Sequence, residues 1–197
     1  MAELVLASGS PRRQELLGRL GVAFTVQVTD VDETPRPGEA AGGYVERLAR
    51  AKARAAAPGP GAVALGADTA VEVDGAILGK PADSGEAVAM LTRLSGRTHT
   101  VHTGVALAGP GIGELSQVIT TDVTFRPLTP DEIDAYVATG EPLDKAGGYG
   151  IQGQGGRFVT AVAGSLSNVV GLPLAQTAAL LTRAGLPPIT WGPPRDR

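Results

Sequence analysis

Strand-like and helix-like segments alternate along most of this chain, but the alternation breaks in the middle, and that break constrains the fold most. Val71 to Val73 and Ala76 to Leu78 flank Asp74-Gly75, a dipeptide suited to a two-residue hairpin turn. Two more β-rich segments follow without a helix between them, Thr98 to Leu107 and Gln117 to Phe125. Antiparallel hairpins inside an alternating pattern predict a mixed α/β fold, not a pure doubly wound sheet.

The flanking elements have legible ends. Leu4 to Ala7 reads as a short buried strand, and Ser10-Pro11 opens a helix with Ser10 at the N-cap and Pro11 at N1. Leu16, Leu17 and Leu20 form its apolar face and Gly21 stops it. Phe24 to Val28 alternates like a strand. A helix over Tyr44 to Ala57 places Tyr44, Leu48, Ala51 and Ala55 on one face. Val63 to Leu65 is a strand that runs into Gly66-Ala67-Asp68-Thr69. Asp83 with Glu86, and Thr129 with Glu132, have the spacing of capping boxes. Glu141 to Gly156 is a Gly-rich loop, Arg157 to Val162 a strand, Pro173 to Ala184 the last helix, and the Pro-rich tail irregular. With no repeat and no long linker, residues 1–197 read as a single domain.

Composition removes several classes of function. There is no cysteine, which excludes disulfides, thiolate nucleophiles and Cys-ligated metals. The net charge is −3, with no basic stripe and few aromatics (Trp 1, Tyr 3, Phe 3), so no nucleic-acid partner is expected. No apolar run approaches membrane-spanning length and the start lacks a secretory pattern, so no membrane partner and a soluble cytoplasmic protein are expected.

Several short segments could carry chemistry. Ala7-Ser8-Gly9-Ser10 bends a strand into a helix that has Arg12 and Arg13 in its first turn. Arginine there opposes the helix dipole unless an anion such as phosphate sits at the N-terminus. Two solvated arginines on an exposed turn is an equal reading. Lys52 lies near the apolar face of its helix, where a snorkelling lysine is the simpler account. Asp68 follows a buried strand, where α/β folds present site residues, although a turn-capping aspartate looks the same. Lys80, in Gly79-Lys80-Pro81, is not part of a P-loop, because Pro81 stands where Ser or Thr is needed. Gly148-Tyr149-Gly150-Ile151-Gln152-Gly153 matches a dinucleotide fingerprint literally, but no strand precedes it and no helix follows. His99 and His102, three apart on a strand, should face opposite sides. Asp30, Asp32, Glu33 and Asp68 are the acids available to a hard cation. Together these residues suggest a phosphate-ester site with cations for phosphate and carboxylates for metal and base.

The same segments resemble the Maf family, historically linked to septum formation. The matching stretches are Leu6-Ala7-Ser8-Gly9-Ser10-Pro11-Arg12-Arg13, Asp32-Glu33, Leu48-Ala49-Arg50-Ala51-Lys52-Ala53, Gly66-Ala67-Asp68-Thr69, Gly79-Lys80-Pro81, Asp144-Lys145-Ala146-Gly147 through Gln152-Gly153, and Ser167-Asn168 through Pro173. The resemblance implies a fold like the inosine-triphosphate pyrophosphatases, an elongated mixed sheet with two lobes around a deep cleft. It implies a homodimer that cuts a nucleoside triphosphate into monophosphate and pyrophosphate with a divalent metal cation, Mg²⁺ or Mn²⁺. By the same resemblance Asp68 is the proton acceptor, and Ser8, Arg13, Lys52 and Lys80 bind the triphosphate. Glu33 and Asp68 would hold metal. Arg12, Thr69 and Gln152 match the branch that prefers dTTP and UTP over the one that prefers 7-methyl-GTP. Ala70 and Leu166 depart from the family pattern, where a β-branched residue and an aromatic are expected. A nucleotide-binding regulator of cell division without turnover is the alternative of a different class; it would need the cations but not Asp68.

Overall fold

The computed structural model describes residues 3–56 and 58–186, so the Pro-rich tail expected to be irregular lies outside the described residues. β1 (Glu3–Leu6) pairs in parallel with β2 (Phe24–Val26) on one edge and β3 (Ala62–Val73) on the other. From β3 the sheet continues antiparallel through β5 (Thr98–Gly109) and β6 (Gly113–Phe125) to β7 (Val159–Ala163). With β4 (Ala76–Leu78) folded back on the end of β3, this is one seven-stranded mixed sheet. Asp74 and Gly75 make the β3–β4 turn with φ of 53° and 71°, the left-handed pair that a tight hairpin needs.

At β3 the structure departs from what the sequence predicts. Val63–Leu65 and Val71–Val73 are not separate strands with a loop between them. They are the two ends of one strand, and Gly66-Ala67-Asp68-Thr69 is its middle. β1 covers one edge of β3 only as far as Leu65, and β4 covers that edge only from Val71. The other edge is paired with β5 from Ala64 to Glu72. Pairing on one side is enough to hold these small and polar residues extended, and it leaves an open edge between Leu65 and Val71.

α2 (Ala41–Ala55) lies across one face of the sheet at very short range. A Cβ on Gly66 would overlap the carbonyl oxygen of Ala49, and one on Gly104 would overlap that of Val45. Ala49, Ala53, Ala106 and Ala108 extend this flat contact. The buried stripe of α2 runs Ala41, Tyr44, Val45, Leu48, Ala49, Lys52 and Ala53. It does not pass through Ala51 and Ala55 as expected, because Lys52 belongs to it and an apolar count steps around a lysine.

The opposite face carries two hydrophobic cores. One joins Leu4, Leu6, Leu65 and Leu107 to Leu16 and Leu17 of α1 (Pro11–Arg19) and Leu180 of α6 (Leu174–Arg183). The other joins Val71, Val101 and Phe125 to Leu91 of α3 (Ser84–Leu94), Tyr136 of α4 (Pro130–Val137) and Phe158. The capping box at Thr129 and Glu132 is complete. At α3 only half forms: Asp83 accepts from Glu86 N–H, while Glu86 returns its bond to Ala82 N–H. Ser10 occupies the N-cap of α1 but its side chain caps nothing. α5 (Leu166–Val170) was not expected; five residues are too few to show a helical period.

His99 and His102 lie on opposite faces of β5, as their spacing predicts. His99 is buried in the second core, edge-on to Phe125 and with Nε2 2.8 Å from the Tyr149 hydroxyl. Burial pushes its pKa down to about 4, Asp122 opposing.

Gly104→Ala should destabilise the fold by roughly 1–3 kcal/mol, the usual cost of overpacking. Gly43→Ala, on the exposed side of α2 with nothing near its Cβ, should be neutral or stabilising by up to about 1 kcal/mol; urea unfolding of both variants checks the contrast. For His99, the unfolded chain takes up a proton near pH 6.5 that the folded chain refuses until about pH 4. Stability should therefore be complete above about pH 6.5 and fall by up to about 3 kcal/mol as the pH drops toward 4. His99→Gln should flatten that slope, and an unchanged slope would remove His99 as its cause.

Candidate active site

The open edge of β3 and the gap between the two cores form one cleft of about 480 Å³, within the range of small-molecule sites. All nine residues to which the family resemblance gives a role line it: Ser8, Arg12, Arg13, Glu33, Lys52, Asp68, Thr69, Lys80 and Gln152. Its walls carry Arg12, Arg13, Lys52, Lys80 and Lys145 against Glu33, Asp68 and Asp144, so the cleft is locally positive in a protein of net charge −3. That is the electrostatics of an anion site.

On the α2 side, Lys52 and Asp68 are buried, 8% and 7% exposed. The Lys52 ammonium lies 2.7 Å from Asp68 Oδ1 and 2.6 Å from Glu33 Oε1. Lys52 is therefore not a snorkelling lysine, and Asp68 is not a turn cap. Burial works to raise the Glu33 pKa, but the bond to Lys52 and the charges of Lys52, Lys80 and Arg13 outweigh it and hold it below the usual range. Glu33 itself comes from the acidic loop before α2, steadied where the Tyr44 hydroxyl donates to the Glu33 carbonyl at 3.0 Å. Asp30 and Asp32 do not reach the cleft; Asp32 instead accepts from Thr34 N–H. Among the described residues no group of three or more acids or histidines converges.

On the other face of the sheet, Arg13 is held at three points. Nε donates to the Gly171 carbonyl at 3.0 Å, Nη2 to Thr69 Oγ1 at 3.2 Å and Nη1 to Ser8 Oγ at 3.3 Å. Thr103 Oγ1 donates to the Asn168 carbonyl at 2.9 Å, so its 3.0 Å contact with Thr69 takes the Thr69 hydroxyl proton. The chain of donors thus runs from Arg13 through Thr69 and Thr103 to α5, and fixes the direction of each. Burial pulls the Arg13 pKa down, Asp68 opposing and Arg12 adding, so no acid fully compensates this cation. It sits at the N-terminus of α1, where no acid and no cap competes for an incoming anion. Arg12 pairs with Asp144 at 3.3 Å across the cleft. Lys80 is exposed on the wall just past β4.

Thr103, Asn168 and Asp144 have parts in this site that residue-by-residue reading missed. Thr103 and Asn168 are fully buried polar groups; Asn168 and Asp144 stand in stretches that match the family, whereas Thr103 is one of several polar residues on β5 and carries no signal of its own. Ala70 packs against α2 and Leu166 is exposed, so neither departure from the family pattern lines the cleft.

A family model described as Maf-like protein matches residues 3–184. The chain belongs to the Maf family. It is 61% identical to a dTTP/UTP pyrophosphatase of Myxococcus xanthus, over 95% of each chain. It is 55% identical to a dTTP/UTP pyrophosphatase of Escherichia coli O157:H7, over 92% of this chain and 93% of the relative. A solved HAM1 protein from Coxiella burnetii superimposes with a TM-score of 0.52 at 24% identity, over 92% of this chain and 99% of that one. That likeness shows the fold: this Maf chain has the mixed sheet expected from the inosine-triphosphate pyrophosphatases. Among the described residues no helix is long and apolar enough to cross a membrane.

Proposed function

We propose that this chain, acting as one Maf domain, hydrolyses dTTP and UTP between the α- and β-phosphorus to the monophosphate and pyrophosphate. One observation carries the reading: Asp68, a group able to take a proton, stands 2.7 Å from Lys52 in a cleft otherwise suited to polyphosphate. The names of the Myxococcus and Escherichia relatives point the same way. A regulator without turnover would have no use for a buried carboxylate beside its phosphate-binding cations.

The chemistry follows from the charges. Arg13, Ser8 and the free N–H groups of α1 grip the phosphates, and Lys52 and Lys80 neutralise charge that builds on the leaving pyrophosphate. Lys52 takes Oδ1 of Asp68, which leaves Oδ2 to orient a water and accept its proton as the oxygen attacks the α-phosphorus. Glu33 and Asp68 already share one cation, and two carboxylates suit Mg²⁺ or Mn²⁺, which completes its shell with water and phosphate. Held there, the ion would supply further neutralisation of phosphate charge. A cytoplasmic homodimer belongs to the same proposal.

Base choice rests on Gln152 at the cleft rim. Its amide offers a donor and an acceptor. These match N3–H and a carbonyl of uracil or thymine, whereas cytosine presents an acceptor at N3. A site that hydrogen-bonds its ligand rejects the mismatch because its own polar atoms are left unpaired. Arg12 and Thr69 shape the phosphate end, Thr69 by holding Arg13.

Incubation of the protein with dTTP or UTP and Mg²⁺ should yield monophosphate and pyrophosphate; diphosphate with orthophosphate, or binding without turnover, would end this reading. Asp68→Asn should lose roughly 10²–10⁴ in turnover, the range for a general base, with the fold retained by circular dichroism. Gln152→Ala should lower kcat/KM on dTTP and UTP while leaving the poor use of CTP and 7-methyl-GTP little changed. Equal use of CTP by the unaltered protein would refute the base assignment.

A further inference from the structure

In Gly148-Tyr149-Gly150-Ile151-Gln152-Gly153 there is no dinucleotide to serve, yet the structure gives Gly150 and Gly153 a strict purpose. Gly153 N–H donates to the Gly150 carbonyl at 3.1 Å, which closes a β-turn with Ile151 and Gln152 at its tip. Both ends of that turn are tied to one pair of side chains outside it. Before the tip, Gly150 N–H donates to the Tyr136 hydroxyl at 3.0 Å. After the tip, Gln154 N–H donates to Glu141 Oε2 at 3.0 Å and Gly155 N–H to Glu141 Oε1 at 3.3 Å. The Tyr136 hydroxyl passes its own proton to Glu141 Oε1 at 2.9 Å, so the two ties are one connected unit.

The spacing of glycines records this contact. A Cβ at Gly150 would stand 3.0 Å from Glu141 Oε1 and 2.7 Å from Lys145 Cε. One at Gly155 would stand 2.7 Å from the Tyr136 hydroxyl, and one at Gly153 would overlap the Glu141 carboxylate. Gly150, Gly153 and Gly155 thus let a carboxylate and a phenol reach the backbone on both sides of Gln152. The anchor is itself rigid. Tyr136 is 4% exposed, its ring edge-on to Phe158 at 5.0 Å on the last turn of α4. Glu141 follows α4 after Ala138, Thr139 and Gly140, so few torsions separate it from the second core.

We propose that Tyr136 and Glu141 are positioning residues for pyrimidine selection: they fix the height and orientation of Gln152 in the cleft without touching the substrate. This rests on the reading of Gln152 as the base contact. Without the pair, three backbone N–H groups around the tip lose their partners and the turn samples other heights. Gln152 then meets the base in only a fraction of molecules, which weakens binding by that fraction. The phosphate grip and Asp68 lie on other elements and keep their geometry.

A double-mutant cycle tests this. Tyr136→Phe removes one oxygen atom and keeps the ring in its core. It should raise KM for UTP by roughly 5- to 30-fold, the effect of leaving a buried N–H and carboxylate short of a partner, with kcat nearly unchanged. The preference for UTP over CTP in kcat/KM should fall by a similar factor. In a Gln152→Ala background the same change should do almost nothing more to KM or to that preference. If Gln152→Ala erodes the preference but Tyr136→Phe does not, the positioning role is wrong and the base contact stands. If the two effects simply add, Tyr136 acts elsewhere and the inference is overturned. An indifferent Gln152→Ala removes the base contact and this inference with it. Should Tyr136→Phe not fold, Glu141→Gln takes its place in the cycle; if neither folds, the pair is structural and the proposal fails.

Discussion

The site depends on how closely α2 lies against the sheet. Gly66 on β3 and Gly104 on β5 leave no side chain between helix and sheet, so helix carbonyls rest where Cβ atoms would otherwise be. At that separation a lysine one turn beyond Leu48 reaches Asp68, two residues beyond Gly66, and its ammonium stays out of bulk water. An ordinary helix-on-sheet contact through larger side chains would hold Lys52 too far out for a 2.7 Å bond. Burying one charge alone is costly, and here each partner offsets part of the other's penalty. Glu33 adds a second negative group to the same ammonium. The trio carries net negative charge and faces Arg13 and Lys80, so both faces of the site have opposite charge within reach. Such a site favours a ligand that brings anionic phosphates and a cation together.

The two cores complete the arrangement. Each anchors one end of the sheet's other face, and the cleft opens where neither fills the space. Arg13 and Thr69 stand at the margin of the first core, while the Gln152 turn is tied to Tyr136 of the second. A nucleotide that used all of these would span the gap, phosphates toward α1 and base toward the turn. Arg12 and Asp144 already meet across it.

Much of this was legible in the sequence, and the failures have physical causes. Helix ends marked by Ser10-Pro11 and Thr129-Pro130, and the Asp74-Gly75 hairpin, rest on local chemistry and were read correctly. Gly66-Ala67-Asp68-Thr69 looks like a loop because small and polar residues favour loops; it is a strand because β5 pairs it, and that partner lies far along the chain. Lys52 looks like a surface residue because its two counter-ions come from other segments. The Thr103–Asn168 link and the Tyr136–Glu141 tie are likewise contacts between elements, invisible to spacing. The nine site residues came from resemblance to a family, and the structure brings all of them to one cleft, although residue types alone left Arg12, Arg13, Lys52 and Asp68 open to plain structural readings.

Successive residues of a strand point to opposite faces. Asp68 therefore shares its face with Gly66 and Ala70, toward α2 and Lys52, while Thr69 shares the opposite face with Ala67 and Val71, toward Arg13 and Thr103. In a loop these neighbours could crowd the same side. In a strand they cannot, so the group able to take a proton and the group that holds the arginine are kept apart by the thickness of the sheet. A ligand can meet both only by lying across the strand's edge, and the stretch between Leu65 and Val71 is where that edge has neither β1 nor β4 beside it. The interrupted pairing of β3 thus leaves two faces of one strand open to a single ligand, and a strand paired along its whole length would present the same residues with no open edge between them.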